Sequence, residues 1–354
     1  MTKVLRNVLS IALGLLTTVS FAQDINIESR TRIDMSGDND KQLTNQRVTT
    51  GVTFGGSNWG IYMSNDFNYT LAGGNATGDP VASVYEAYAS TDLMGFANLT
   101  IGRQALSYGS GALMSTNDWG NDRTTWDGMK FDFNLDAVSA TLGYANTNLG
   151  LVDSEDQTKT WFNVAGNFSG FDVNVLYMDK QLGDADDSDA AMGIDLSGEI
   201  AGANIMASIN SDYEGDKMNM FGLTYAINDD MSIMVSQTSY DEDNEDYATG
   251  GNGFGMANTN MDGSWASTGN IGYLANGMDD LTIGLSYDMG SVSLGAALHT
   301  ITDNGNDDYE RSATEINLGY SFSDNASLGV TLISDDMGVD ADDTYTYVTL
   351  TITP

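Results

Sequence analysis

The sequence predicts an all-β fold, a transmembrane antiparallel up-and-down β-barrel of about 18 strands, and two observations predict it. Between residues 24 and 353, segments of about ten residues carry apolar side chains at every second position. Very short turns and long acidic loops alternate between these segments. Outer-membrane barrels have this asymmetry, because their periplasmic turns are short and their extracellular loops are longer. A soluble β-sandwich would share the alternation but not the asymmetry.

The first 22 residues have the pattern of a secretory signal peptide. Lys3 and Arg6 form a charged start, an apolar run follows, and residues 20–22 supply a small-x-small cleavage site. The run is shorter than the roughly 18 residues that a membrane-spanning helix needs. We therefore expect residues 1–22 to be removed and residues 23–354 to form one outer-membrane barrel.

Composition narrows the classes of function. The chain has 2 Pro and no Cys, which suits a continuous sheet and excludes disulfides and thiolate metal sites. Its 13 basic residues stand against 50 acidic ones, a formal net charge of -37. Such a surface repels nucleic acids and favours cations. Adaptation to salty water is an alternative explanation of the acidity.

The strands can be placed by their period of two. The segments 281–287, 292–298 and 316–322 each carry apolar residues on one face and mostly Gly, Ser, Thr or Asn on the other. Eight tight turns and nine longer connections join 18 strands, and 16 is the other count that the pattern allows. An even number places both termini on the periplasmic side.

Two stretches are less regular than the rest. The connection Tyr240–Asp280 is long enough to hide another hairpin. Thr302–Arg311 is expected to be one of the nine longer connections. In the last strand the apolar phase changes between Tyr347 and Val348, which predicts a β-bulge there.

One segment carries a family resemblance. Residues 84–131 contain the following matching residues: Ala87-Tyr88, Gly102-Arg103-Gln104, Leu106, Tyr108-Gly109, Trp119, Asn121, Arg123 and Asp127-Gly128. They resemble the alginate-export family of outer-membrane channels and related Gram-negative porins. The resemblance implies an eighteen-stranded barrel in which a loop after an early strand folds inward and narrows the pore.

The candidate constriction loop spans residues 103–123. It is long, contains three glycines and is less acidic than the other loops, as a segment packed in a lumen requires. An ordinary surface loop is the alternative. The candidate constriction residues in and beside it are Arg103, Tyr108, Asp118, Trp119, Asp122, Arg123 and Asp127. One or both arginines are hypothesised to face the loop acids and create a transverse field.

Strand phase predicts four further lumen-facing residues: Lys130, Asp132, His299 and Glu315. His299 is the single histidine, so a His-assisted serine enzyme would have to use it. Its phase places it away from lipid, which disfavours a lipase that cuts outer-leaflet lipids. We therefore expect no catalysis and no cofactor.

Clustered carboxylates are typical ligands of calcium, and they occur in the acidic loops Asp184–Asp189, Asp241–Asp246 and Asp335–Asp343. None has the spacing of a calcium-binding loop, so we expect no specific metal site. Loose binding of Ca²⁺ or Mg²⁺, bridging to lipopolysaccharide, is compatible with them.

These observations predict an outer-membrane porin through which small hydrophilic solutes diffuse passively. A channel for an anionic polysaccharide should have a basic lumen, and the few basic residues make alginate a poor candidate. A neutral or cation-preferring pore fits better. The expected surroundings are membrane lipid and lipopolysaccharide, with a homotrimer by family analogy. The alternative function is a surface adhesin or structural barrel whose acidic loops bind divalent cations.

Overall fold

The computed structural model describes residues 24–36, 43–71, 81–116, 118–120, 123–147, 157–182, 188–241, 274, 277–336 and 342–354. The predicted signal peptide, Asp122 and most of Tyr240–Asp280 lie outside these residues. No helix in the described part of the chain is long and apolar enough to cross a membrane.

Eighteen strands follow one another along the chain. They are β1 (Asp24–Asp34), β2 (Leu43–Gly55), β3 (Trp59–Thr70), β4 (Val81–Asp92), β5 (Asn98–Gln104), β6 (Trp126–Leu135), β7 (Val138–Thr147), β8 (Gln157–Phe168), β9 (Phe171–Leu182), β10 (Ser188–Ile200), β11 (Ala203–Ser211), β12 (Lys217–Asn228), β13 (Met231–Tyr240), β14 (Met278–Asp288), β15 (Val292–Asp303), β16 (Asn306–Ser323), β17 (Ala326–Asp336) and β18 (Asp342–Ile352).

The strands form one closed antiparallel sheet. Each pairs with its neighbours in sequence, and β1 pairs with both β2 and β18. The β1–β18 ladder is short, running from Ser29 opposite Ile352 to Asp34 opposite Tyr347. Closure leaves no edge strand, which a sheet within a membrane requires. The predicted fold class, an eighteen-stranded up-and-down barrel, is confirmed.

Eight tight turns, as many as predicted, join the strands on the side where β1 begins and β18 ends. At Ser169 and Gly170 both turn residues have positive φ, 55° and 91°, and at Ala201 and Gly202 the values are 54° and 83°. Positive φ at both positions defines the type I′ turn, whose twist matches that of the flanking strands.

Two local predictions were wrong. Thr302–Arg311 is not a long loop, because β15 and β16 continue through it and only residues 304–305 lie between them. The last strand contains no bulge, since its register against β17 runs without a shift from Ala326 opposite Ile352 to Asp336 opposite Asp342. The phase change has another cause: Tyr347 and Tyr345 are 3% and 6% exposed and pack inside the barrel.

The two faces of the wall differ as the alternation predicts. Large apolar side chains such as Ile101, Leu142 and Ile283 are more than 40% exposed and form the outer face. Their sequence neighbours Thr100, Thr141 and Thr282 are buried and face the lumen. Much of the buried apolar packing lies inside the barrel, where a segment of chain fills part of the lumen.

Candidate functional site

The connection between β5 and β6 spans residues 105–125, and we call it the lumen loop. Its described residues, 105–116, 118–120 and 123–125, fold into the barrel. Four apolar side chains of its first half are buried: Leu106, Ala112, Leu113 and Met114. They pack against apolar side chains from the wall and the connections of β6 to β15: Trp126, Ala145, Trp161, Leu176, Met178, Ala191, Met218, Tyr240, Leu274 and Ile301. Burial of this apolar surface holds the first half of the loop inside the lumen.

The chain turns back on itself within this half. The amide of Tyr108 donates to the carbonyl of Met114 at 3.2 Å, and the amide of Gly111 donates to the carbonyl of Tyr108 at 3.0 Å. The Tyr108 hydroxyl accepts a hydrogen bond from the indole Nε1 of Trp161 at 3.2 Å. Burial raises the pKa of the Tyr108 hydroxyl, so it remains neutral in the lumen.

Gly109 makes the closest approach of the loop to the wall. Its φ is +57°, and a Cβ atom there would lie 1.8 Å from Oδ2 of Asp195 on β10. The next residue, Ser110, shares a hydrogen bond of 3.0 Å with Ser208 on β11. Only glycine fits this contact.

Replacing Gly109 by alanine is therefore expected to lift the loop tip away from Asp195. Gly170→Ala is the matched control, because Gly170 also has positive φ but nothing within 4 Å of its Cβ position. We expect Gly109→Ala to lower the free energy of unfolding by about 1–3 kcal/mol more than the control and to change single-channel conductance. Equal effects of the two variants would contradict the contact.

The second half of the loop is held by its backbone. Arg30 of β1 donates to the carbonyls of Asp118 and Gly120, the latter at 2.8 Å. Arg47 of β2 donates to the same two carbonyls at 3.2 and 2.9 Å, and also pairs with Glu28 at 3.1 Å. Both arginines are at most 8% exposed.

Arg32 completes this group, and we call Arg30, Arg32 and Arg47 the arginine clasp. Its Nη1 donates to the carbonyl of Trp119 at 2.6 Å, and its guanidinium lies 3.8 Å from the centre of the Trp119 ring. The same ring meets Tyr347 of β18 edge-on, with centres 5.4 Å apart. The clasp and Tyr347 together fix the position of Trp119.

Arg123 ties the end of the lumen loop to the wall. It makes a two-pronged ion pair with Asp66 of β3, at 3.1 and 2.6 Å, and donates to Thr49 at 3.0 Å. Its guanidinium lies 3.3 Å from the centre of the Tyr85 ring and 3.5 Å from Asp118. The Asp118 side chain itself is 69% exposed.

An irregularity in β4 makes room for this contact. The β3–β4 register shifts between Ser64 and Asn65, so that Glu86 and Val84 pair with consecutive residues and Tyr85 is left over. The bulge turns Tyr85 inward beneath Arg123. Glu86 also faces inward and accepts a hydrogen bond from the amide of Ala105, where the lumen loop begins.

The structure does not bring Arg103 and Asp127 into the lumen, which corrects the expectation for both. Arg103 shares the outer face of β5 with Ile101, and it forms a two-pronged ion pair with Asp127 of β6 at 2.7 and 2.6 Å. Both side chains are exposed, at 40% and 57%. Of the two hypothesised arginines, Arg123 alone faces loop acid Asp118.

The other predicted lumen residues lie on the inner face. Lys130 and Asp132 of β6 form an ion pair at 2.5 Å. The Nδ1 of His299 lies 2.9 Å from Oδ2 of Asp280, and its Nε2 lies 4.0 Å from the fully buried carboxylate of Glu315. His299 is 2% exposed, so it belongs to the packed wall.

Sequence reasoning underestimated the basic character of the lumen. Among the described basic residues, Arg103 and Lys217 lie on the outer face, and the rest face inward: Arg30, Arg32, Arg47, Arg123, Lys130, Lys159, Lys180 and Arg311. The arginine clasp was missed, although Glu28, Arg30, Arg32 and Asp34 alternate along one face of β1. Charges at every second position mark a lumen face, and that signal could have found the clasp.

A cavity of about 1200 Å³ lies on the side of the lumen loop nearer the tight turns, bounded by Gly109 and Ser110. The described charged residues that line it are all aspartates: Asp92, Asp132, Asp136, Asp172 and Asp195. Asp195 accepts hydrogen bonds from Ser208 at 2.5 Å and from Asn174 at 3.4 Å, both neutral partners. Among the described residues no basic side chain forms an ion pair with Asp195, so its negative charge acts on the cavity.

The described residues contain no group of three or more acidic or His side chains able to hold a metal ion. The three acidic loops proposed for loose Ca²⁺ or Mg²⁺ binding lie largely outside the described residues.

A closed barrel with an apolar outer band, a polar lumen and an inward loop defines an outer-membrane channel of the porin class. Solved structures share this fold. OccK5 (OpdH) of Pseudomonas aeruginosa superposes with a TM-score of 0.69 at 11% identity, covering 94% of this chain and 98% of that one. OccAB1 of Acinetobacter baumannii gives 0.65 at 13% identity, covering 94% and 97%.

The chain belongs to the alginate-export family, whose family model matches residues 80–331. The predicted family, the outer-membrane location and the expectation of a channel without enzymatic activity are thereby confirmed. No curated protein matches the chain significantly. At these low identities the solved structures establish the fold, and the solute must be argued from the lumen.

Proposed function

We propose that this porin conducts small hydrophilic solutes by passive diffusion, through the space left between the lumen loop and the barrel wall. One observation carries the proposal: the loop is held inside the barrel from both sides. Its first half packs against wall side chains around Trp161 and Met178, and its second half is bound by β1 and β2. A segment fixed in this way would limit the size of a passing solute.

We propose further that the pore prefers cations. The cavity next to the loop is lined by aspartates, and Asp195 lies at the loop itself. The inward basic residues contribute less than their number suggests. The clasp residues do not line the cavity, and Arg123, Lys130 and Arg311 are each paired with an aspartate. The partner of Lys130 is Asp132, so the charge of this one cavity aspartate is offset as well.

The names of relatives suggest other solutes. The matching family is named for alginate export, and OpdK of Pseudomonas aeruginosa has a crystal structure with vanillate. Both are anionic. The acidic cavity argues against alginate in this chain, since a polyanion would have to pass the aspartates.

Three further expectations complete the proposal. Residues 1–22 serve as an export signal, and lipopolysaccharide and lipid surround the apolar band. A homotrimer stays a proposal by family analogy, and native gels with chemical crosslinking would test it.

The function is tested by refolding residues 23–354 into planar bilayers and recording single-channel current in a salt gradient. We expect stable conducting steps and a reversal potential with the sign of cation preference. A folded barrel, identified by heat-modifiable migration on gels, that carries no current would refute the proposal.

Asp195→Asn tests whether the acidic cavity sets the ion selectivity. Removing one charge close to the path should lower the cation-to-anion permeability ratio by at most about fivefold, since two unit charges 4 Å apart in water interact by about 1 kcal/mol. Asp127→Asn is the matched control, because that carboxylate lies on the outer face. If both variants shift the reversal potential equally, the acidic cavity does not set selectivity.

A further inference from the structure

The two halves of the lumen loop are held by different forces. The first half, residues 106–114, is anchored by buried apolar side chains. The second half, around residues 118–120, is held by the three guanidiniums of the arginine clasp and by the Trp119 ring. The position of the second half therefore depends on these polar contacts, and that of the first half on apolar burial.

The clasp recognises backbone geometry. Arg30 reaches the carbonyls of Asp118 and Gly120 with its two terminal nitrogens, and Arg47 reaches the same pair with one. Arg32 takes the carbonyl of Trp119 between them. The planar guanidinium groups of three arginines thus bind three consecutive carbonyls. A lysine ammonium cannot reproduce this geometry.

Repulsion within the clasp favours the bound loop. Arg30 and Arg47 are directly opposite partners in the β1–β2 ladder, and like charges in this position destabilise a sheet. Glu28 offsets part of the charge at Arg47, at 3.1 Å. The carbonyl oxygens of Asp118 and Gly120 accept hydrogen bonds from both guanidiniums and offset more of the repulsion between them. Moving the loop away would remove these acceptors from both arginines at once.

We infer that Arg30, Arg32 and Arg47 are positioning residues for the constriction, which hold the second half of the lumen loop by its backbone and keep the open pore at one steady conductance. The inference rests on the proposed channel function and adds the element that controls its constriction. The clasp acts through the loop and need not touch the solute.

The test separates charge from geometry. Arg30→Lys combined with Arg47→Lys keeps both positive charges and removes both planar guanidinium groups. We expect an unchanged reversal potential together with transitions between two current levels at least about tenfold more frequent than in the wild type, because several charge-assisted hydrogen bonds are lost. Arg103→Lys is the matched control, because Arg103 forms its two-pronged ion pair on the outer face. This variant should leave the current steady.

A second readout does not depend on current. The chain has no cysteine, so Asp118→Cys provides a single attachment point for a nitroxide label. The Asp118 side chain is exposed and the clasp uses its carbonyl, so the label leaves the clasp in place. The label should be immobilised in the wild-type background and mobile in the double lysine variant.

Steady current and an immobile label in the double lysine variant would overturn the inference. A wild-type barrel that folds but carries no current would refute the channel function instead. In that case the label still decides whether the clasp holds the loop.

Discussion

Asp335→Ala is expected to lower the free energy of unfolding by about 3–5 kcal/mol, the largest loss from any single substitution considered. Asp335 and Arg311 form a two-pronged ion pair at 3.0 and 2.7 Å between β16 and β17, and both side chains are 0% exposed. Removing the carboxylate leaves a buried guanidinium without its charged partner, and water cannot replace that partner. Urea unfolding of the barrel in lipid vesicles, followed by tryptophan fluorescence, measures the loss.

The outer face supplies the control for this prediction. Arg103 and Asp127 have the same two-pronged geometry but are 40% and 57% exposed. Asp127→Ala should therefore cost only about 0.2–1 kcal/mol. Replacing Arg311 by Met and Asp335 by Leu together should recover most of the loss, since neither charge is then buried alone. Equal costs for the two aspartates would show that burial does not govern these pairs.

Removing the lumen loop is expected to have the largest effect on function. Gln104 and Trp126, at its two ends, are direct partners in the β5–β6 ladder. Residues 105–125 can therefore be replaced by Asn-Gly, the preferred two-residue turn, without changing the register. We expect a several-fold rise in conductance, because an eighteen-stranded barrel without an inward segment encloses an open aqueous channel.

Liposome swelling with sugars of increasing size checks the same variant independently. Its size limit should move to larger sugars than the wild type admits. The barrel must first be shown to be folded by heat-modifiable migration, because the replacement also uncovers Trp161 and Met178 inside the lumen. A folded variant with wild-type conductance and size limit would show that the loop does not form the constriction.

The wall of the barrel could be predicted from the sequence because it follows from local chemistry. Alternation fixes which face of a strand meets lipid, and short turns rich in Gly, Asp and Asn fix where strands reverse. Both signals are contained within a few residues. The failures at Thr302–Arg311 and at Tyr347 arose where polar strand residues beyond the apolar band resembled a loop, or where lumen-facing tyrosines resembled an outer face.

The interior was less predictable because it depends on contacts distant in sequence. Arg103 lies just before the lumen loop and Arg123 near its end, yet Arg103 points outward and Arg123 inward. Arg123 precedes the first residue of β6, Trp126, so strand alternation does not apply to it. The clasp brings together residues about 70 to 90 positions apart, through a loop whose path the sequence does not specify.

The position of Trp119 bears on how the barrel is completed. The first and last strands meet along a ladder of only six residue pairs, from Ser29 to Asp34 of β1. Trp119 lies across this seam, stacked on Arg32 of the first strand and against Tyr347 of the last. The lumen loop therefore links the first strand to the last from inside the barrel, at the seam that closes the sheet. A chain with the loop outside its lumen would lose these contacts of Trp119, so the seated loop strengthens the closure of the barrel.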